Sequence, residues 1–134
     1  MKQDLSCDLT EGEIIDPTTI RELISSTTYL APNLEKKTSH RGSTEKIKKS
    51  YIPIDFTIWD QCLVTSVEKQ THIQSHSHDE PLFRYVLEGS FRINGILHKA
   101  GDWVLLPQNF VYEIDTEDGY KTISHYYTIC VVEH

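Results

Sequence analysis

The chain has 134 residues, of which 38% are hydrophobic, and a formal net charge of −7 at pH 7. This length suits one compact domain with a real core. The acidic balance argues against a nucleic-acid-binding domain, and the absence of any run of about 18 apolar residues argues against a membrane span. The polar, acidic N-terminus lacks the basic start and apolar stretch of a secretory signal.

Three cysteines, Cys7, Cys62 and Cys130, are widely spaced and odd in number. They form neither a disulfide framework nor a C-x-x-C pair. Free thiols are typical of a reducing compartment, so the sequence predicts a cytoplasmic protein.

Residues 1–50 are predicted to form an N-terminal extension. Asp16 and Pro17 are typical of a helix N-cap followed by a proline at the first helical position. We therefore expect a short helix over about residues 17–26, followed by a polar loop over residues 31–50. The apolar residues that recur at helical spacing are Ile20, Leu23 and Ile24.

From residue 51 to residue 134 the texture of the chain is that of β-structure. β-branched and aromatic residues dominate, turn signals recur at short intervals, and Asn94-Gly95 is the strongest hairpin signal. Many short strands with regular turns indicate an antiparallel sandwich or barrel. The predicted strands cover residues 52–59, 62–68, 71–78, 83–87, 91–93, 96–99, 103–106, 110–114 and 120–132.

The stretch His76-Ser77-His78 carries the clearest chemical signal. Side chains two residues apart on a strand point to one face, so two imidazoles converge there and provide half of a divalent-metal site. On a regular strand, His72 and Gln74 share that face. The alternative is a polar pair that lines a water-filled pocket.

The His-x-His pair is followed by Gly89, at the end of Tyr-Val-Leu-Glu-Gly, and then by Gly101 and Pro107. This order resembles the two sequence motifs of the cupin superfamily. The resemblance covers roughly residues 55–130. It implies an all-β fold, an antiparallel double-stranded β-helix (the cupin jelly-roll barrel), here with a short N-terminal helix.

The motifs depart from the family pattern at the metal ligands. In the family a glutamate of the first motif and a histidine of the second ligate the metal; Leu82 and Tyr112 stand at those positions. Asn109 replaces the second-motif glycine, and asparagine tolerates a left-handed backbone.

His125 is the candidate third metal ligand. If the turn before residue 120 makes a simple hairpin, position 110 faces position 125 and His125 points inward beside Tyr112. The alternative is a hydrogen-bonded histidine of the barrel wall, and His98, on a short hairpin strand, is expected at the surface. The predicted cofactor is a divalent transition metal (iron, manganese, nickel or zinc), held by His76, His78 and His125.

Arg84 lies two residues after position 82 on the same predicted strand, so both side chains are expected to point into the barrel. An inward arginine stays charged and requires an anionic partner, which favours capture of a substrate carboxylate or phosphate. Gln74 and Tyr112 are further candidates for substrate binding, and Tyr112 is also a candidate catalytic residue. The alternative for Arg84 is a structural ion pair with Asp79, Glu80 or Glu113.

The resemblance implies three possible functions for a small-molecule cupin with an anionic ligand. The first is a metal-dependent enzyme, with dioxygenase-like chemistry favoured; whether the chain is an enzyme at all is left open. The second is a non-catalytic ligand-binding or regulatory cupin. The third is a metal-free cupin of the sugar-nucleotide epimerase type, with a histidine base and a tyrosine acid. By analogy with paired cupin barrels we expect a homodimer, with residues 51–59 as an exchanging strand.

Overall fold

Antiparallel strands make up nearly all regular structure in the computed structural model, which describes residues 14–28 and 44–127. The predicted all-β class is therefore confirmed. Within these residues no helix has the length and apolarity that crossing a membrane requires. The strands are β1 (Ile24–Ser25), β2 (Asp60–Val67), β3 (Thr71–His76), β4 (Leu82–Ile93), β5 (Ile96–Lys99), β6 (Trp103–Leu106), β7 (Tyr112–Thr116) and β8 (Tyr120–Tyr126).

The long strand β4 belongs to two sheets. Its first half pairs with β6 on one side and β8 on the other, and its second half pairs with β5 and β7. The first sheet runs β2-β8-β4-β6-β1, and the second runs β3-β7-β4-β5. The strand passes from one sheet to the other at Gly89. Its φ of +76° is a left-handed backbone conformation that glycine adopts at little energetic cost.

Alternate residues of β4 pack into two different cores. Leu82 and Val86 face the barrel interior, whereas Phe83 faces the outer side of the first sheet. This alternation follows from the period of two along a strand. The outer core is covered by the N-terminal segment through Ile15 and Ile24. The buried interior core consists of Leu82, Val86, Phe91, Ile93, Val104, Leu106, Tyr112, Ile114 and Tyr120.

The predicted helix over residues 17–26 is absent. Asp16 does act as a cap, because its Oδ1 accepts hydrogen bonds from the Thr18 amide at 2.9 Å and the Thr18 hydroxyl at 2.7 Å. Only a turn follows, and Ile24–Ser25 then pairs with β6 as strand β1. The β-branched residues of this segment lose side-chain freedom in a helix, and β6 offers their backbone a sheet edge to bond.

The predicted strand over residues 52–59 is also absent. Pro53 cannot donate a backbone hydrogen bond, and Asp55 caps a single 3-10 turn, Phe56–Ile58, by accepting from the Thr57 amide at 3.0 Å. The two strands predicted over residues 83–87 and 91–93 are one continuous strand, β4. Residues 31–43 of the predicted loop, and the end of the last predicted strand beyond residue 127, lie outside the described residues.

Candidate functional site

Three side chains form a hydrogen-bonded chain in the barrel interior. The His78 Nε2 atom lies 2.9 Å from the Tyr112 hydroxyl, and Arg84 Nη2 lies 3.4 Å from the same oxygen. A guanidinium can only donate, so Arg84 donates to the Tyr112 oxygen. Where the neutral His78 ring carries its proton on Nδ1, the Tyr112 hydroxyl donates to His78 Nε2.

The electrostatics of the site favour the neutral forms of His78 and Tyr112. Burial is the largest cause that lowers the pKa of His78, and the neighbouring His76 and Arg84 lower it further. Burial also raises the pKa of Tyr112, with Arg84 opposing it. Both groups are therefore neutral near pH 7.

His76 completes the wall beside this chain. It pairs in register with Tyr112, and its ring centroid lies 5.1 Å from that of His78 and 4.5 Å from that of Tyr112. Its Nδ1 donates to the Gln74 carbonyl at 2.8 Å, which leaves Nε2 as the nitrogen with a lone pair. The Asn109 amide donates to the His78 carbonyl at 2.7 Å, and its φ of +61° is the left-handed backbone expected there.

Arg84 has unmet hydrogen-bonding capacity. Its Nε and Nη1 atoms are buried and have no partner, and none of the ion pairs among the described residues includes it. Of its candidate partners, Glu113 instead lies 3.6 Å from His72. Its guanidinium also lies over the Tyr112 ring, 5.7 Å from the ring centroid, but Nε and Nη1 remain charged donors without an acceptor, which is costly in a protein interior.

Two further polar side chains, both with hydroxyl groups, lie on β8 beside β4. Ser124 lies opposite Arg84 in the β4–β8 register, and Thr122 lies opposite Val86. Both side chains are buried, and both hydroxyl oxygens lack a partner in the described structure. The sequence analysis missed them, although alternate polar residues on the last strand were a usable signal.

His125 does not lie beside Tyr112, so the prediction that it points inward is wrong. β7 and β8 do not form a hairpin: the chain crosses between the two sheets, and His125 pairs opposite Phe83 on the outer side of the first sheet. Its ring stacks on Phe83 with centroids 6.2 Å apart, and its Nδ1 donates to the Gln61 carbonyl. It is a hydrogen-bonded histidine of the wall.

His72 and Gln74 do not share the face of His76. The register between β3 and β7 shifts between Ile73 and His76, which breaks the simple alternation. His72 is exposed and hydrogen-bonded to Asp115, which raises the pKa of the imidazole. Gln74 is also exposed, and its backbone carbonyl is what contacts His76.

These residues do not fit a divalent metal as they are arranged. In the part of the chain that the structure describes, no three His, Cys, Asp or Glu side chains gather to hold a metal ion. His78 Nε2 is already hydrogen-bonded to the Tyr112 hydroxyl, and the positive charge of Arg84 lies close by. The charge and the donor groups fit an anion better than a cation.

Fold and site together define a small antiparallel β-barrel domain with a polar site in its interior. No family model and no curated protein matches the chain. Solved structures similar to it include an RmlC-like cupin from Shewanella frigidimarina, with 22% identity and a TM-score of 0.45 over 51% of this chain and 66% of that one. A cupin is thus among its structural neighbours.

A second similar structure is YhhW from Escherichia coli, with 15% identity and a TM-score of 0.43 over 55% of this chain and 31% of that one. The bacterial pirin YhhW, also from Escherichia coli, was solved in complex with nickel(II), and it aligns at 13% identity and a TM-score of 0.42 over 48% of this chain and 29% of that one. This chain thus spans about a third or less of the two YhhW chains and 66% of the Shewanella cupin.

Proposed function

We propose that this chain is a small cupin-like domain that binds an anionic small molecule through Arg84. The observation that carries the proposal is the buried guanidinium whose Nε and Nη1 have no partner. An arginine cannot shed its charge, and a carboxylate or phosphate supplies the paired acceptor oxygens that such a fork requires.

The ligand would enter beside the two histidines. His76, His78 and Arg84 are each partly exposed, whereas the inner guanidinium nitrogens are shielded from solvent. We propose that the long Arg84 side chain swings toward this opening when the ligand binds. There a ligand that displaces the hydrogen bond between Tyr112 and His78 would find one donor and one acceptor for its further polar groups.

This arrangement favours the ligand-binding alternative among the three functions. Metal binding by His76 and His78 is the second candidate, and the observation in its favour is the 5.1 Å separation of the two ring centroids. Metal binding requires the hydrogen bond between Tyr112 and His78 Nε2 to break, because this nitrogen would be a metal ligand. An enzymatic role and a cytoplasmic location remain predictions, and the same His78–Tyr112 pair is the base and acid that the epimerase-like alternative needs.

Arg84→Gln tests the proposal, with Arg92→Gln as its matched control. Arg92 lies on the same strand but is exposed, and its Nη1 donates to the Gly95 carbonyl. Acetate, malonate, succinate, citrate and phosphate are screened by thermal shift at matched ionic strength, and hits are titrated by calorimetry. We expect at least one to bind the wild type and Arg92→Gln, and to bind Arg84→Gln about tenfold more weakly or worse, since a charge-assisted pair is lost.

Equal responses of wild type and Arg84→Gln to every anion would contradict the proposal. The second candidate has its own test, in which chelator-treated protein is titrated with nickel(II) or zinc(II) chloride. Stoichiometric binding that His76→Ala abolishes and Arg84→Gln leaves intact would favour the metal centre instead.

A further inference from the structure

Strand β8 places two buried hydroxyl groups on the wall of the barrel interior. Thr122 and Ser124 alternate along it with Tyr120 and Tyr126, which pack in the interior core, so the period of two along a strand turns all four side chains inward. Thr122 is 1% exposed and Ser124 is 3% exposed, and neither hydroxyl oxygen has a hydrogen-bond partner in the described structure. Two unmet hydroxyls in one place indicate a site for a polar ligand.

These hydroxyls lie next to the buried guanidinium. Ser124 is directly opposite Arg84 in the β4–β8 register, and side chains paired in this way are neighbours on one face of a sheet. Thr122 lies two residues before Ser124, about 7 Å along the strand. One ligand oxygen between the two hydroxyls can therefore contact both of them while another part of the ligand contacts Arg84.

Solvent comes close to this wall on the side of β2. Leu63 lies opposite Ser124 in the β2–β8 register, so the two side chains share the inward face. Leu63 is nevertheless 43% exposed. A small molecule can therefore approach the interior to within one strand of Ser124.

The charge of the interior limits the charge of the ligand. Every described arginine and lysine except Arg84 and Lys121 is exposed, and Lys121 pairs with Glu88 at 3.4 Å. Arg84 is thus the one permanent positive charge among the described residues of the interior. One carboxylate balances this charge, whereas a second negative charge on the ligand would lie there without a cation.

We infer that the ligand is a hydroxylated monocarboxylate. Its carboxylate pairs with Arg84, and its hydroxyl bonds to Ser124 and Thr122, donating to one and accepting from the other. A ligand hydroxyl suits this pair because each protein hydroxyl can act as donor or acceptor. The inference rests on the proposed function and adds the ligand class, with Ser124 and Thr122 as the residues that determine specificity.

Matched pairs of acids test this ligand class on the wild type. Lactate is compared with propionate, and 3-hydroxybutyrate with butyrate, by calorimetry at matched ionic strength. In at least one pair the hydroxylated acid should bind about fivefold more tightly or better, because it gains hydrogen bonds that its partner cannot make. Succinate, which carries a second charge, should bind more weakly than the preferred acid.

Ser124→Ala and Thr122→Val, combined in one chain, test the two hydroxyls. This double variant should lose the preference for the hydroxylated acid and still bind its unhydroxylated partner as the wild type does. Ser66→Ala is the control, because Ser66 is an exposed serine on β2 and makes the same chemical change outside the interior. It should keep the full preference.

Thermal unfolding without ligand separates a ligand-binding role from a structural one. Thr122→Val should not lower the Tm, because it removes a hydroxyl without a partner. Thr116→Val is the contrast: the Thr116 hydroxyl donates to the Ser90 carbonyl at 2.7 Å, so its loss should lower the Tm. Equal losses in the two variants would show that the Thr122 hydroxyl already serves the fold, and would overturn the inference.

The binding results also separate this inference from the proposed function. Equal binding of both acids in each pair, or a preference that the double variant retains, would overturn the inference. The anion site would still stand if Arg84→Gln weakened binding of every acid. If no carboxylate bound the wild type, the proposed function would fail and the ligand class with it.

Discussion

At the scale of single residues, His98 is a histidine whose burial determines its charge state. The sequence placed it on the surface of a hairpin strand, yet it is fully buried and stacks on Phe91 with ring centroids 5.8 Å apart. Its Nδ1 donates to the Ile96 carbonyl at 3.1 Å, while Nε2 has no partner in the described structure. Burial is the main cause that lowers its pKa. The core therefore holds His98 in its neutral form.

The protein should lose stability as the solution becomes acidic. A histidine with a folded-state pKa below the ordinary 6.5 contributes its full stability above that pH, and loses it as the pH falls through 6.5 toward the folded-state pKa. We expect the free energy of unfolding in urea to fall between about pH 7.5 and about pH 5.5, and to fall less in His98→Leu.

His72→Gln is the control. The pKa of exposed His72 is raised, so its contribution to stability changes with pH in the opposite direction to that of His98. Stability from His72 is present below pH 6.5 and is lost as the pH rises through the folded-state pKa. Removing it should make the loss on acidification steeper. An identical pH dependence in wild type and His98→Leu would show that His98 is not held neutral.

Part of the site could be predicted from the alternation of side-chain directions along a strand. Counting from residue 82 placed Arg84 toward the interior, where it meets Tyr112 and, through it, His78. Parity failed for His72 because a register shift intervenes in β3. A bulge depends on how two strands align in space, and a local pattern of residue types does not encode it.

At the scale of elements, the passage of β4 between two sheets depends on Gly89. A Cβ atom added there would lie 2.0 Å from the Gly119 carbonyl oxygen, which is backbone and cannot easily give way. This contact and the positive φ of Gly89 together explain the glycine at this motif position.

Gly89→Ala should therefore destabilise the fold by about 3 kcal/mol or more, from the backbone strain and the overlap combined. Gly95→Ala is the matched control, because its φ of +86° is similar but nothing lies within 4 Å of the added atom. It should cost about 1 kcal/mol. Urea unfolding measures both, and equal losses would mean that the contact with Gly119 is not what requires glycine.

Which strands pair with each other was harder to predict than where the strands lie in the sequence. Most strands occur near their expected positions, because alternating β-branched residues and turn signals are local. The pairing of β8 with β4 and β2, rather than with β7, is long-range. It reversed the expected face of His125, since facing positions depend on which strand is the neighbour.

At the scale of the whole molecule, the N-terminal segment is a layer of the fold. Ile15 is buried against the outer core, and its amide donates to the Pro53 carbonyl at 2.8 Å. The Trp103 amide donates to the Ser26 hydroxyl at 3.0 Å, which fastens the segment to β6. Residues 14–28 should therefore unfold together with the barrel.

Ile15→Ala tests whether the segment and the barrel form one cooperative unit. Truncating a buried isoleucine should lower the global free energy of unfolding by about 2 to 3 kcal/mol, whereas Ile47→Ala, at a position that is 52% exposed, should change it by less than about 0.5 kcal/mol. Tryptophan fluorescence reports on Trp59 and Trp103 in the outer core, and far-UV circular dichroism reports on the sheets. If the segment merely lay on the barrel, Ile15→Ala would leave the dichroism transition in place; we expect both transitions to move together.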